Sequence, residues 1–346
     1  MNIPLSDRVQ TRAAYLRSSN RGWVDNTNRV LPDQIRFNQD EKEAARWAWR
    51  MRATDRLTVD LDLDHSNTTY GNVFFQRVAG PAAVAGFQQS SPTLKGLSPS
   101  RTTTDGQSLT LHWQLEDVAL RSITAWRRMD NQARQNYADL FIQSDNQNQK
   151  QTSQEFQIIG STLDKRVEYV AGLFWFDEHG EEQVSSTFSA SSVDAWRVVA
   201  SSRSTALYGQ ASWKPAMLED RLRLTLGLRE TQDERAATKY FLVSNFFPSS
   251  NGTVVPASKR FQKFTPTYTA DYALTNDINL YARFAYGYRA GGFNTRSPHT
   301  SFGNGFGEED VRSTEAGFKS DLFGKRGRLN VALFNNQYAN LQVDQV

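Results

Sequence analysis

Cysteine is absent from all 346 residues. That removes disulfides, thiolate metal sites and cysteine nucleophiles together, and it fits an exported bacterial protein. Long apolar runs are absent as well. The mean hydropathy is −0.61, and no stretch approaches the ~18 apolar residues that a transmembrane helix needs. A transmembrane barrel is not excluded by this, because its strands present apolar side chains only at every second position. Neither sign of charge dominates: 40 Lys+Arg stand against 37 Asp+Glu. The basic residues are dispersed, so a pI near 9.0 gives no concentrated basic face, and no nucleic-acid partner is expected. Met1 opens directly onto Asn2-Ile3-Pro4-Leu5-Ser6-Asp7 without a basic-then-apolar leader. No export signal is therefore read in this chain.

The signals of catalysis and metal binding are missing too. His65, His112, His179 and His299 show no metal-ligand spacing and no H-x-x-x-H pair, so neither a metal site nor a cofactor is expected. No G-x-S-x-G elbow is present and no histidine is placed for a triad. Asp60-x-Asp62-x-Asp64 resembles the start of a calcium loop, but its sixth position is His65 and its twelfth Gly71. A calcium loop needs Gly and Glu there. The pairs Glu181-Glu182 and Glu308-Glu309 lie in polar surroundings, where solvated acids are the rule. No enzyme activity is expected.

What the chain does have is alternation. In Arg221-Leu222-Arg223-Leu224-Thr225-Leu226-Gly227-Leu228-Arg229, four leucines fall on one face and Arg221, Arg223, Thr225 and Arg229 on the other. Strand side chains alternate faces with period 2, so such a strand has one greasy and one charged surface. The pattern recurs in thirteen segments: 8–17, 43–52, 56–66, 107–116, 118–129, 152–162, 165–178, 203–214, 221–233, 261–273, 278–288, 311–322 and 328–341. Short turns rich in Asp, Asn, Gly, Pro and Lys join the partners of each pair. Long polar connections, 18–42, 67–106, 130–151, 179–202, 234–260 and 289–310, join successive pairs. Short links on one rim and long ones on the other are what an outer-membrane barrel requires, with turns toward the periplasm and loops outside. The expected fold is all-β: an antiparallel transmembrane β-barrel.

Aromatic residues mark two belts. Trp49, Trp113, Trp213 and Tyr272 come just before short turns, while Trp126, Trp175, Tyr286 and Tyr288 lie toward the far ends. Such belts match the girdles at the two membrane interfaces and imply contact with outer-membrane lipid. The opposite face is ionic and reads as a lumen lined by Arg46, Asp60, Asp62, Arg221, Arg223, Arg229 and Arg283. If Arg52 opposes Arg56 across a three-residue turn, Arg46 falls opposite Asp62. On a lipid face, each midplane Arg or Lys would cost roughly 2–4 kcal/mol.

The most distinctive string is Arg289-Ala290-Gly291-Gly292-Phe293-Asn294, which opens a long loop. Paired glycines allow positive φ or close backbone approach where the chain leaves the wall. A structural role for Gly291, Gly292 and Phe293 follows, with Arg289 and Asn294 as loop-side candidates for ligand contact. The preceding Leu280-Tyr281-Ala282-Arg283-Phe284-Ala285-Tyr286-Gly287-Tyr288 and the later Glu315-Ala316-Gly317-Phe318-Lys319-Ser320-Asp321-Leu322-Phe323 resemble the barrel of TonB-dependent outer-membrane receptors. So do Arg328-Leu329-Asn330, Ala332-Leu333-Phe334 and, more weakly, Asn2-Ile3-Pro4-Leu5, Tyr169 to Trp175 and Leu207 to Ala211.

The resemblance implies a receptor that takes up a scarce, bulky ligand, a ferric siderophore first, with haem, cobalamin or an oligosaccharide as other classes. It implies a TonB energising complex as partner of the full-length parent. It also implies a barrel of 22 strands preceded by a signal peptide, a coupling box and a plug domain. Thirteen strands over 1–346, ending at Gln345-Val346, are thus expected to be part of such a barrel. Plug, coupling box and C-terminal strands are absent from this reading, and the chain is not expected to function alone. A passive porin and an extracellular β-rich binding protein are the rival classes.

Overall fold

The structure, a computed structural model, describes residues 1–27, 36–77, 97–189 and 192–343. The middles of the expected loops 18–42 and 67–106 (residues 28–35 and 78–96) and the terminal Gln345-Val346 lie outside the described residues. One antiparallel sheet carries the fold. Its strands in spatial order are β1 (Asn2–Pro4), β2 (Val9–Asn20), β5 (Asp40–Arg52), β6 (Leu57–Tyr70), β7 (Ser100–Gln114), β8 (Val118–Asn136), β9 (Ile142–Thr162), β10 (Val167–Ser189), β11 (Ser192–Trp213), β12 (Leu222–Ser244), β13 (Val254–Ala273), β14 (Ile278–Arg289), β15 (Glu309–Leu322) and β16 (Gly327–Ala339). Two short strands, β3 (Val24–Asp25) and β4 (Arg36–Phe37), pair with each other in the connection between β2 and β5. Every strand of the large sheet lies beside its neighbours in the chain, apart from the β3–β4 excursion. Among the described residues β1 and β16 are free edges and do not pair with one another.

The alternation sorts the two faces as the sequence requires. Register pairs align Trp49 with Leu61, Leu61 with Leu109, and Trp213 with Leu224. Leu226 lies opposite Tyr268, which lies opposite Phe284. These side chains form one apolar face, and it is open: Leu224, Leu226 and Leu228 are 36%, 42% and 38% exposed. A soluble sandwich would bury such residues against a second layer. Here there is no second layer, and buried apolar side chains are few among the described residues.

All thirteen expected strands are present, but most run further toward the loop end. The expected loop 179–202 is not a loop: β10 continues to Ser189, β11 starts at Ser192, and pairing runs from His179↔Ser201 to Ser189↔Ser192. Likewise β8 and β9 leave only 137–141 between them, and β12 and β13 only 245–253. Where both faces of a strand meet water, apolar alternation disappears while the backbone ladder persists. The loop 290–308 stays long and holds one short helix, α1 (His299–Phe302).

The hairpin β5–β6 corrects a register. Arg52 pairs with Thr58 rather than Arg56, so Arg46 stands opposite Asp64. The Thr54 hydroxyl accepts from the N–H groups of Arg56 and Leu57 (3.2 and 3.0 Å), building a wider turn than expected. A shift of two residues keeps every side chain on its face. The Arg46 guanidinium still reaches Asp62 diagonally, at 2.6 Å.

Proline sets the other irregularity. The Ala273 N–H donates to Arg221 O, so alternation directs the N–H groups of even-numbered β13 residues toward β14. Pro256 and Pro266 occupy two of those positions and have no N–H to give. The β13–β14 ladder ends at Thr267↔Ala285, directly below Pro266. Above it β13 pairs only with β12, up to Val254↔Tyr240. Meanwhile β14 pairs only with β15, up to Arg289↔Glu309. A seam opens in the wall there.

Candidate functional site

The polar face is a field of ion pairs. Arg46 bonds Asp62 (2.6 Å), Arg50 bonds Asp60 (2.6 Å) and Arg127 bonds Asp64 (3.0 Å). Arg223 reaches Glu168 at 2.8 Å. Arg229 lies over the rings of Phe174 and Tyr208, with its Nε 3.0 Å from Thr231 Oγ1. Arg283 stands opposite Glu315 in the register. Arg221 is displaced from the expected wall position. It belongs to the turn before β12, where it pairs with Glu219 at 2.9 Å. Pairs this exposed each contribute little to stability, on the order of 0–1 kcal/mol. Their consequence is a hydrated, charge-balanced surface.

Aromatic side chains bracket the apolar face. Trp213 ends β11, Trp113 lies one residue from the end of β7, and Tyr272 lies one from the end of β13. Trp49 packs on Trp47 with ring centroids 5.1 Å apart. Trp126, Trp175 and Tyr286 come about eight residues above the turn ends of their strands, or roughly 26 Å along a strand. Tyr288 departs from the belt: its hydroxyl donates to Asp233, on the polar face of β12.

At the loop end the string 289–294 folds as a corner. Arg289 is the last ladder residue of β14. A Cβ on Gly291 would overlap the Phe306 carbonyl oxygen, and Gly292 exchanges backbone hydrogen bonds with Phe306 (3.2 and 2.8 Å). Close backbone approach, rather than positive φ, is what the pair of glycines serves. The positive φ of this loop belongs to Gly305, at 56°. Phe293 packs against Phe302 with centroids 5.8 Å apart. Asn294 closes a turn by accepting from the Arg296 N–H at 2.9 Å.

This corner forms one side of a cleft of about 940 Å³. Arg289, Asn294, Ser297, Ser301 and Glu308 line it, and Asn340 and Gln342 complete it from the segment after β16. Gln342 fixes that segment: its side-chain amide donates to Gly307 O (3.0 Å) and Ala290 O (3.3 Å). The cleft offers an exposed guanidinium, amides and hydroxyls to a polar, anionic guest. Both loop-side candidates read from the sequence, Arg289 and Asn294, are brought together in it.

The sequence reading missed Lys239 and its surroundings. Lys239 is only 2% exposed, and its Nζ donates to the carbonyl oxygens of Thr295 (2.6 Å) and Ser297 (2.9 Å). The rings of Phe241, Trp196 and Phe302 surround it at 4.4, 5.0 and 5.9 Å. Burial lowers its pKa to about 8 against the pull of Asp194 and Glu182. The only sequence signal is a run of apolar residues on the otherwise polar parity of the upper strands: Val198, Ala200, Ala237, Val255 and Ala257.

One curved antiparallel wall with an open apolar face, a charged face and a loop-end cleft defines the class: a β-barrel wall of the outer-membrane kind. The chain belongs to the TonB dependent receptor-like β-barrel family, whose model matches residues 6–346. Members are transporters and receptors of the bacterial outer membrane, not enzymes. Solved structures agree on the fold. The ferric yersiniabactin uptake receptor FyuA from Yersinia pestis superposes with a TM-score of 0.82 at 17% identity, covering 99% of this chain and 52% of its own. The ferric-catecholate import receptor Fiu of E. coli K12, in its closed form, gives 0.69 at 12% identity, covering 97% and 55%. The siderophore receptor PiuA from Acinetobacter baumannii gives 0.69 at 12%, covering 96% and 54%. The chain spans about half the length of the solved relatives it matches.

Proposed function

We propose that this chain forms wall and loops of an outer-membrane receptor for the energised uptake of a scarce, bulky iron chelate, with a ferric siderophore as the favoured ligand. Further strands of the same barrel would pair with β1 and β16, since an unpaired strand edge in lipid costs several kcal/mol per backbone group. The observation that carries the reading is the loop-end cleft. It is large enough for a chelate, lies at the loop end of the wall, and presents Arg289 toward an anionic guest. The solved relatives FyuA, Fiu and PiuA are receptors for ferric or siderophore ligands, which supports the same class.

Tight capture at low concentration makes release slow, so inward movement needs added energy. The proton gradient, delivered through a TonB complex, is the proposed source. The inward fold of loop 290–308 onto the polar face is a feature that a passive channel with a constricting loop would share. Uptake of iron-labelled chelate by cells carrying the intact protein separates the two. A receptor loses uptake, but not surface binding, when proton motive force is collapsed; a passive channel keeps both. Arg289→Ala should weaken binding roughly 10–100-fold, the loss of a charge-assisted hydrogen bond worth about 1.5–3 kcal/mol. Unchanged affinity would remove the cleft from the binding path.

A further inference from the structure

Loop 290–308 lies where the wall is weakest. The β13–β14 ladder stops at Thr267↔Ala285, and the loop crosses the opening to pack on the polar face of β11, β12 and β13. Phe302, 1% exposed, sits against Val198 and Ala237, with Trp196, Val255 and Phe293 around them. The base of the loop is tied by Lys263, which bonds both Glu308 and Asp310 at 3.1 Å. These contacts do the work that backbone pairing does elsewhere in the sheet. At the centre stands Lys239, whose ammonium donates to two loop carbonyls. The opposite side of the loop presents Asn294, Ser297 and Ser301 to the cleft.

We infer that loop 290–308 is a latched strap: Lys239 pins it to the inner wall, and while pinned it closes the seam between β13 and β14 and holds one wall of the loop-end cleft. The inference is independent of which ligand the cleft takes. Three features point to a latch rather than permanent packing. The loop is closed on itself by the Gly292↔Phe306 bridge and by turn hydrogen bonds within 294–305, so it can lift as one piece. The pin is a single side chain bonded to main-chain oxygens, and of the loop only Phe302 and Phe293 enter the apolar cluster beside it, so release disturbs two rings. The loop is bounded by Gly291-Gly292 at one end and Gly305 and Gly307 at the other, where the backbone can redirect.

The test uses the intact protein in detergent or outer-membrane vesicles. Lys239→Met keeps the length and apolar stem but cannot donate to Thr295 and Ser297; Lys150→Met, on the exposed surface of β9, is the control. Trypsin nicking at Arg296, an exposed strap residue, is followed by mass spectrometry. Lys239→Met should accelerate that cleavage at least tenfold, with other sites and the Lys150→Met protein unchanged. Equal cleavage in a correctly folded, heat-modifiable variant overturns the latch. A second measurement stands if Lys239→Met does not fold. A Cβ on Gly303 would lie 3.6 Å from Val255 Cγ1, and the chain has no other cysteine. The pair Gly303→Cys and Val255→Cys should oxidise to a disulfide and suppress Arg296 cleavage, both reversed by reductant. Failure to cross-link, or a cross-link that leaves cleavage unchanged, refutes the strap.

Discussion

Single residues in the loop half of the wall carry the chemistry, and two kinds of cause act on them. Arg289 and Asn294 are legible in the sequence because they flank a glycine pair at a strand exit. Lys239 is not legible, because a lone lysine reads as solvated until the strap covers it. Asp145 is a second residue of this hidden kind. Burial, then the charge of Glu182, raises its pKa to about 6, against a hydrogen bond from Gln147 that lowers it. For an acid whose folded pKa lies above its unfolded value of 3.8, the sign is fixed. The folded state holds the proton more tightly, so stabilisation is full below about pH 4 and is lost as pH rises through about 6. The upper ends of β8, β9 and β10 should therefore loosen between pH 4 and 7. In Asp145→Asn that change should flatten. Hydrogen exchange of the 140–150 amides, corrected for intrinsic rates, checks this; identical pH profiles in both proteins would refute it.

Elements show where periodicity informs and where it stops. The strand 222–244 reads without error through its first half, where Leu222, Leu224, Leu226 and Leu228 alternate with polar residues. Its second half, Glu234 to Ser244, carries no such alternation, yet the ladder to β13 continues to Tyr240↔Val254. A bilayer imposes alternation on the first half, and water leaves the second half free. Leu226→Arg places a charge at mid-height on the open apolar face. It should cost roughly 2–4 kcal/mol if that face meets hydrocarbon, and near zero if it meets water. Unfolding of the intact protein in lipid vesicles across a denaturant series distinguishes them. The same logic explains β13: Pro256 and Pro266 break no alternation and are invisible to a face count, but they remove the donors that would bind β14.

Among the described residues the molecule is one large sheet with two small apolar clusters rather than a central core. Its apolar side chains face outward, its charges pair across the opposite face, and its two edges end at β1 and β16. The apolar face and the open edges are not stable in water by themselves. Expressed alone as these 346 residues, the chain is expected to aggregate through its exposed edges and leucine face. A heat-modifiable monomer that captures chelate from this chain alone would contradict that expectation.

By itself the sequence determined the two faces, the thirteen strands, the side of the short turns and the family strings near Arg289 and Glu315. These depend on local periodicity and on turn chemistry, which neighbouring residues specify. Only the tertiary structure decided the β5–β6 register, the upward extension of β8 to β13, the seam beside Pro266 and the burial of Lys239 under loop 290–308. The burial of Lys239 depends on loop carbonyls 56 and 58 positions away. The β5–β6 register depends on hydrogen bonds that two registers could have satisfied, and the strand extensions and the seam on backbone pairing. No alternation of apolar and polar residues encodes any of these.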